Sequence, residues 1–335
     1  NKVFKLLGED RIPAWVASIE KGENLVSFLK GYGLDLTLQK ISGRIISLEC
    51  DKETARKMIS LKEHIHNGQG LPYIPGSSIK GAIRSALFNQ AIRKKADKID
   101  ARRIEPLGRI TASTLETEFF GKDPNHDVFR FLRVGDAYFS PNQTVAIIME
   151  NINIKEESGE EIAVHDQSKW QLMEALPTGI KAETSLSLDE RGMEFNRKKN
   201  EIRSFPECFT SIEKLFDLVN RNTRQILEEE IDFWSGYPDD FPELYKEKLE
   251  KFLGRASGCV KGECILRMSH GSGWSFISGG WSKLPDLVDN HTYSHIVNAS
   301  RPGNEKKYSH LPFPKSRRIS STMLLPGFVQ LRLVD

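Results

Sequence analysis

Two hydrophobic periods alternate along this chain, and their alternation restricts the fold more than any single motif does. Ile79, Ala82, Ile83, Ala86 and Leu87 recur at the spacing of one helix face. Near the end, Val329, Leu331 and Leu333 alternate with Gln330 and Arg332, the period of a half-buried strand within Phe328–Val334. Phe129–Phe139 (FRFLRVGDAYF) and Thr144–Ile154 read as strands rich in aromatic and β-branched residues, with Ile162–His165 as a hairpin partner of the second. Thr184–Leu188 alternates in period two, and Leu71–Ile74 is a short strand closed by Pro75-Gly76. Residues 20–30 read as a short helix, helical spacing runs through Ala55, Met58, Ile59 and Leu61, and Cys259–Met268 is an apolar core segment. No repeat is present, and strand–helix units do not recur at a spacing of about 30 residues. The pattern excludes a doubly wound sheet and predicts an α+β fold on an antiparallel sheet.

A length of 335 residues fits two domains, or one domain with a large insertion. Asp189–Arg255 changes character: 28 of its 67 residues are charged, with helical spacing through Ile212, Leu215, Phe216, Leu218 and Val219. We therefore expect a core formed by residues 1–188 and 256–335, interrupted by a charged helical insertion at 189–255.

Apolar runs such as Val145–Met149 and Met323–Leu325 fall far short of the roughly 20 residues of a membrane span. Asn1–Lys21 mixes charges into its apolar positions, unlike a signal peptide, and a first residue Asn predicts a trimmed start. Cys50, Cys208, Cys259 and Cys264 are too scattered for a disulfide framework and suit a reducing, cytoplasmic setting. Cys259 and Cys264 lack the second Cys or His pair of a zinc site. Neither a metal nor a cofactor is expected.

The net charge of +2 conceals a local asymmetry. Asp189–Arg255 carries 16 acidic and 12 basic residues, which leaves the remainder at +6. Lys80–Arg109 alone holds nine basic residues against three acidic ones and matches that surplus. Such clustering suits a polyanion; a solvated helix face is the plain alternative.

Three constellations could bind an anion. The first is IPGSSIKGAIR, Ile74–Arg84. Ser77 or Ser78 would cap the helix, Gly76 would let a ligand approach the backbone, and Lys80 and Arg84 would add charge to the free N–H groups of the first turn. The spacing of a nucleotide P-loop is absent. The second is His270-Gly271-Ser272-Gly273-Trp274, followed by Ser275: glycines and hydroxyls to wrap a phosphate, and an indole on which a base could stack. The third is Lys315-Ser316-Arg317-Arg318, after Phe313-Pro314, whose cations suit a ribose-phosphate backbone. Each also has a plain reading: a capped helix with surface cations, a turn with a core tryptophan, a basic loop.

Catalytic patterns are weak. None of the eight histidines sits in a Ser/His/Asp or HExxH arrangement. His64 and His66 are two apart, and Asp123, Asp127 and Asp136 form no compact acidic cluster. The pair His270 and Lys315 is the best available for general acid–base work on RNA.

Read together, IPGSSIKGAIRSAL (Ile74–Leu87) and LRVGDAYF (Leu132–Phe139) resemble the RAMP superfamily of CRISPR proteins, whose members carry an IPGSSLKGxxR helix start and an LRxSDA strand. Glu174-Ala175-Leu176-Pro177-Thr178-Gly179-Ile180 resembles a further family segment, with Ile180 in place of a small hydroxyl residue. Phe313–Leu333 is similar to the ending of the Csm-type subunits that cap the crRNA 3′ side in type III-A complexes. The resemblance implies a modified ferredoxin-like (RRM-like) α+β fold with insertions. It implies a non-catalytic, crRNA-binding subunit supporting crRNA maturation and antiviral defence. Its partners would be crRNA, target RNA, the neighbouring RAMP backbone subunit and the small helical subunit. Gly76, Ser77, Ser78, Lys80, Arg84, His270, Gly271, Ser272, Gly273, Trp274, Lys315, Arg317 and Arg318 would contact RNA. The family normally opens with a strand and a TPxHIGxG turn, and neither appears before Asn1, so the N-terminal strand of the sheet is expected to be missing. Two alternatives stand beside this reading: a RAMP-type endoribonuclease cutting repeat RNA, and the equivalent Cmr-type (III-B) cap.

Overall fold

The strand Val145–Glu157 organises the molecule because its successive side chains enter different environments. The structure is a computed structural model, and it describes residues 5, 7–23, 25–34, 44–94, 113–199, 202, 205–237, 239–283, 288–300 and 310–334. In chain order the first strands are β1 (Ser47–Leu48), β2 (Leu61–Lys62), β3 (Tyr73–Ile74), β4 (Leu132–Val134), β5 (Ala137–Tyr138) and β6 (Val145–Glu157). They are followed by β7 (Glu160–His165), β8 (Gln171–Ala175), β9 (Leu186–Leu188), β10 (Glu263–Arg267), β11 (Ser316–Ser320) and β12 (Phe328–Arg332). The long helices are α1 (Gly76–Arg93), α2 (Ile212–Ser235) and α3 (Asp240–Ser257).

β6 pairs antiparallel with β7, β8 and β11, and parallel with β1; β8 also takes β2 in parallel. The expected α+β class is correct, and the expected antiparallel sheet gains two short parallel edges. The register separates the two faces. Ile152 and Ile154 of β6, with Ile319 of β11, join Ile226, Leu227 and Trp234 of α2 and Tyr245 and Leu249 of α3 in one core. The opposite face is mixed: Val145, Ile147 and Met149 of β6 share it with Asn151, Asn153, Arg318 of β11 and Gln171 of β8. A second core gathers Ile79, Ile83, Leu87 and Ile92 of α1 with Phe120, Phe129, Leu132, Leu215, Phe216, Val219 and Leu266.

α2 therefore enters both cores, its first half in one and its second half in the other. The charged segment 189–255 differs from its surroundings in composition, not in burial: its apolar stripe is the inner layer of the fold. Buried polar residues on α2 also satisfy strand backbone. Asn220 accepts the Ile265 N–H at 2.9 Å and donates to the Glu263 carbonyl at 2.8 Å, and Thr223 donates to the Ile265 carbonyl at 2.7 Å. Those bonds cover the edge of β10, whose other edge pairs with β12.

Several local expectations change. Phe129–Phe139 is not one strand: a 3-10 turn spans Val128–Phe131, and Gly135-Asp136 separates β4 from β5. The helical spacing at 55–61 gives only the short helix Lys52–Arg56; Ile59 is fully exposed and Leu61 lies in β2. The basic residues from Lys95 to Arg109 lie outside the described residues.

Candidate nucleic-acid interface

α1 begins at Gly76, and Pro75, in extended conformation, is its N-cap. Ser77 and Ser78 are thus first-turn residues and not caps. The Ser78 and Ile79 N–H groups donate to the Pro75 carbonyl at 2.9 and 3.2 Å. Asp136 Oδ1 accepts the Gly76 N–H at 2.8 Å, placing a carboxylate at the positive end of the helix. A Cβ on Gly76 would lie 2.2 Å from the Val134 carbonyl oxygen and 2.6 Å from that of Gly135. The close approach of its own chain is by itself enough to require a glycine at Gly76. Gly135 is clamped in turn, donating to the Ser185 carbonyl at 2.8 Å and accepting from Thr184 Oγ1 at 2.6 Å. The helix start and the GDA turn are one interlocked unit.

The hydroxyl-bearing Ser77 and Ser78 are exposed beside it. Tyr138 donates its hydroxyl to Asp136 Oδ2 at 3.1 Å, which raises the phenol pKa, and stacks on Tyr73 at 5.3 Å between centroids. Tyr138 is 46% exposed, an aromatic face that no sequence motif announced.

Lys80 and Arg84 have different fates. Arg84 donates to Asp127 at 2.8 Å and to Glu116 at 3.2 Å, with its guanidinium 4.2 Å from the centre of the Phe120 ring. It joins α1 to the helix Ser113–Phe120 and to the 3-10 turn, and is committed to its own protein. Lys80 makes no ion pair or hydrogen bond among the described residues. Partial burial lowers its pKa, and nearby Asp127 opposes that shift.

The second and third constellations, distant in sequence, meet in space. Gly271 and Gly273 both have positive φ, and a Cβ on Gly271 would lie 3.3 Å from the Arg318 Cβ. The loop therefore folds over β11. Within the basic run, however, alternation along the strand separates the cations. Arg317 points into the core beneath α2, 5% exposed, where it forms a bidentate pair with Glu230 and also donates to the Pro314 carbonyl. Arg318 points to the opposite face and donates to the Lys169 carbonyl at 3.0 Å. Lys315 precedes them, its carbonyl accepting the Ile154 N–H at 2.9 Å.

Two loop expectations also change. Trp274 does not offer a free stacking face: its indole lies over Gly279, meets Phe313 at 5.1 Å and donates to Ser282 at 3.3 Å. The hydroxyl-bearing Ser272 and Ser275 are buried, and Ser272 bonds back to the Ser269 carbonyl.

His270 remains exposed. Its Nε2 lies 3.2 Å from Gln171 Oε1, and Lys62 Nζ donates to that same oxygen at 3.0 Å. Lys62 and Gln171 were not candidates from sequence; they stand on β2 and β8, and only the sheet brings them to His270. Partial burial, then the charges of Lys62 and Arg318, lowers the imidazole pKa.

Two of the other ionisable clusters are occupied by structure. Buried Glu174 accepts from Arg44 at 2.7 Å, Thr144 at 2.6 Å and the His64 N–H at 3.0 Å. Asp123 holds His126 at 2.8 Å. No group of three or more His, Cys, Asp or Glu able to hold a metal occurs among the described residues, and no described helix is long and apolar enough to cross a membrane.

The arrangement presents cations and an imidazole of lowered pKa on one sheet face, and exposed hydroxyl side chains with a cation at the start of α1. Comparison with solved structures finds the same fold. A chain of a cryo-EM structure of a Csm-crRNA-target RNA ternary complex of a type III-A CRISPR-Cas system matches with a TM-score of 0.60 and 18% identity. That match covers 97% of this chain and 91% of that one. The crystal structure of T. onnurineus Csm5 matches with a TM-score of 0.58 and 17% identity, covering 99% and 89%. No curated protein matches by sequence. The family model for the RAMP superfamily matches residues 31–254, from before the interlocked helix start, through α2 and into α3, and the chain belongs to that superfamily.

Proposed function

We propose that this chain is a non-catalytic crRNA-binding subunit of a type III-A RNA-guided effector complex, ending the filament of backbone subunits at the crRNA 3′ side. The observation that carries the reading is the likeness, over nearly the whole chain, to a chain of a Csm-crRNA-target RNA complex and to Csm5. Both likenesses are to Csm structures, which favours type III-A over the Cmr-type cap. Its partners are crRNA, target RNA, the adjoining RAMP subunit and the small helical subunit, and its role is to support crRNA maturation and antiviral defence.

The RNA-facing set drawn from the three constellations is Ser77, Ser78, Lys80, His270, Gly271, Gly273, Lys315 and Arg318. Arg84, Arg317 and Trp274 support it from within. A positively charged, neutral-hydroxyl surface holds a polyanion without breaking it.

Crosslinking of the chain with crRNA and the adjoining backbone subunit tests this. Crosslinks from the 3′ part of the guide should fall in peptides containing Ser77–Lys80 and His270–Gly273. Crosslinks confined to other faces would overturn the assignment. Repeat RNA incubated with the chain in EDTA should stay intact; cleavage lost in His270→Ala would establish the endoribonuclease alternative instead.

A further inference from the structure

The contacts around Gln171 determine which atom of His270 can accept a hydrogen bond. A lysine ammonium only donates, so the amide atom facing Lys62 Nζ at 3.0 Å is the oxygen of Gln171. That same oxygen faces His270 Nε2 at 3.2 Å. Two lone pairs cannot face each other, so Nε2 carries the proton and donates. In the neutral ring Nδ1 is then left as an acceptor, and it has no partner among the described residues. Partial burial, then the charges of Lys62 and Arg318, lower the pKa of the ring and so favour its neutral form.

A phosphate needs donors alone, and Lys62, Arg318 and the Gln171 amide supply them. The imidazole acceptor serves no phosphate oxygen. It fits a donor adjacent to a phosphate along the strand, and in RNA every sugar carries one: the 2′-hydroxyl. We infer that Lys62, Gln171, His270 and Arg318 form a ribose-phosphate subsite in which the two cations hold a phosphate and His270 Nδ1 accepts the 2′-hydroxyl, so that the site distinguishes RNA from DNA. Lys62 and Gln171 are positioning residues for the imidazole as well as part of the site. The inference rests on the RNA-binding reading and adds the chemical group that is read.

The test uses the full chain and fluorescent oligouridine, which carries no exocyclic base amine, in its ribose and 2′-fluoro forms. The 2′-fluoro sugar cannot donate. In His270→Ala the preference for the ribose form should fall about fivefold, the loss of one neutral hydrogen bond, with little change for the 2′-fluoro strand. Gln171→Leu should reduce the preference in the same direction by freeing the imidazole tautomer. Lys62→Ala should weaken both strands and lower the slope of log affinity against log salt by about 0.7. An equal loss for both strands in His270→Ala would overturn the 2′-hydroxyl assignment and leave RNA binding standing. Unchanged affinity and slope for both strands in Lys62→Ala, Lys80→Ala and Arg318→Ala would overturn the RNA surface itself. His270 lies in an exposed loop, and circular dichroism of each variant checks that the fold is kept.

Discussion

Glu230 of α2 and Arg317 of β11 face each other as a bidentate pair, both enclosed and 87 residues apart in sequence. The pair fastens the charged helical segment to the sheet. The rings of Phe233 and Trp234 flank the guanidinium, 5.0 and 5.8 Å from their centres. Removing one partner strands the other as an unpaired buried charge. Glu230→Ala should therefore cost about 3–5 kcal/mol of stability. Urea unfolding measures it, and Glu230→Leu combined with Arg317→Met should recover a large part of the loss.

The basic run that contains Arg317 shows how much of the site was legible. Its charge was visible in sequence, but a strand sends neighbours to opposite faces, so Arg317 and Arg318 could never share a ligand. Applying that period to Ser316–Ser320 would have separated them, had the segment been read as a strand and not as a loop. The first helix was legible because Ile79, Ile83 and Leu87 repeat locally. Its start was not, because the carboxylate that accepts its first N–H belongs to Asp136, 60 residues away. Lys62 and Gln171 lie 109 residues apart, with no local signal for their meeting. In the charged segment the helical stripe from Ile212 to Val219 was legible; that α2 carries it on into a second core at Ile226, Leu227 and Trp234 was not, because that core is completed by strands distant in sequence.

Gly76 and Gly81 lie in the same helix and should respond oppositely to alanine. Alanine at Gly76 places a Cβ against two backbone carbonyls, so the helix start must move away from Asp136. The expected cost is about 1–3 kcal/mol. At Gly81 no atom lies within 4 Å of the added Cβ, and the position is exposed. Gly81→Ala should stabilise by roughly 0.5–1 kcal/mol through the lower entropy of the unfolded chain. Unfolding midpoints of the two variants decide it; equal effects would refute the packing argument.

His64 gives stability a pH dependence of known sign. Burial lowers its pKa from the ordinary 6.5, and its hydrogen bond to the Tyr73 carbonyl partly opposes that shift. The unfolded chain thus takes up the proton more readily than the folded one. Stability from this site is complete above the ordinary imidazole range and is lost as pH falls through the depressed folded value. His64→Gln keeps a donor for the Tyr73 carbonyl without titrating. Between about pH 7 and pH 5 it should lose less stability than the parent chain, measured by urea unfolding at each pH. A parallel decline of both proteins would show that the ring does not titrate differently on folding.

Lys80 and Arg84, one turn apart, separate binding from folding. Arg84 is held by Asp127 and Glu116 and lies over Phe120, so Arg84→Ala removes an anchor between α1 and its neighbours. It should lower stability while leaving the salt slope of RNA binding unchanged for the folded protein. Lys80 has no such ties. Lys80→Ala should unfold at the parental urea concentration, yet reduce the slope of log affinity against log salt by about 0.7, the release of one counterion contact on single-stranded RNA. Fluorescence anisotropy across a salt series, run beside the unfolding curves, reads both quantities. A changed slope in Arg84→Ala with an unchanged slope in Lys80→Ala would place the phosphate contact on Arg84 and require its two carboxylates to give way when RNA binds.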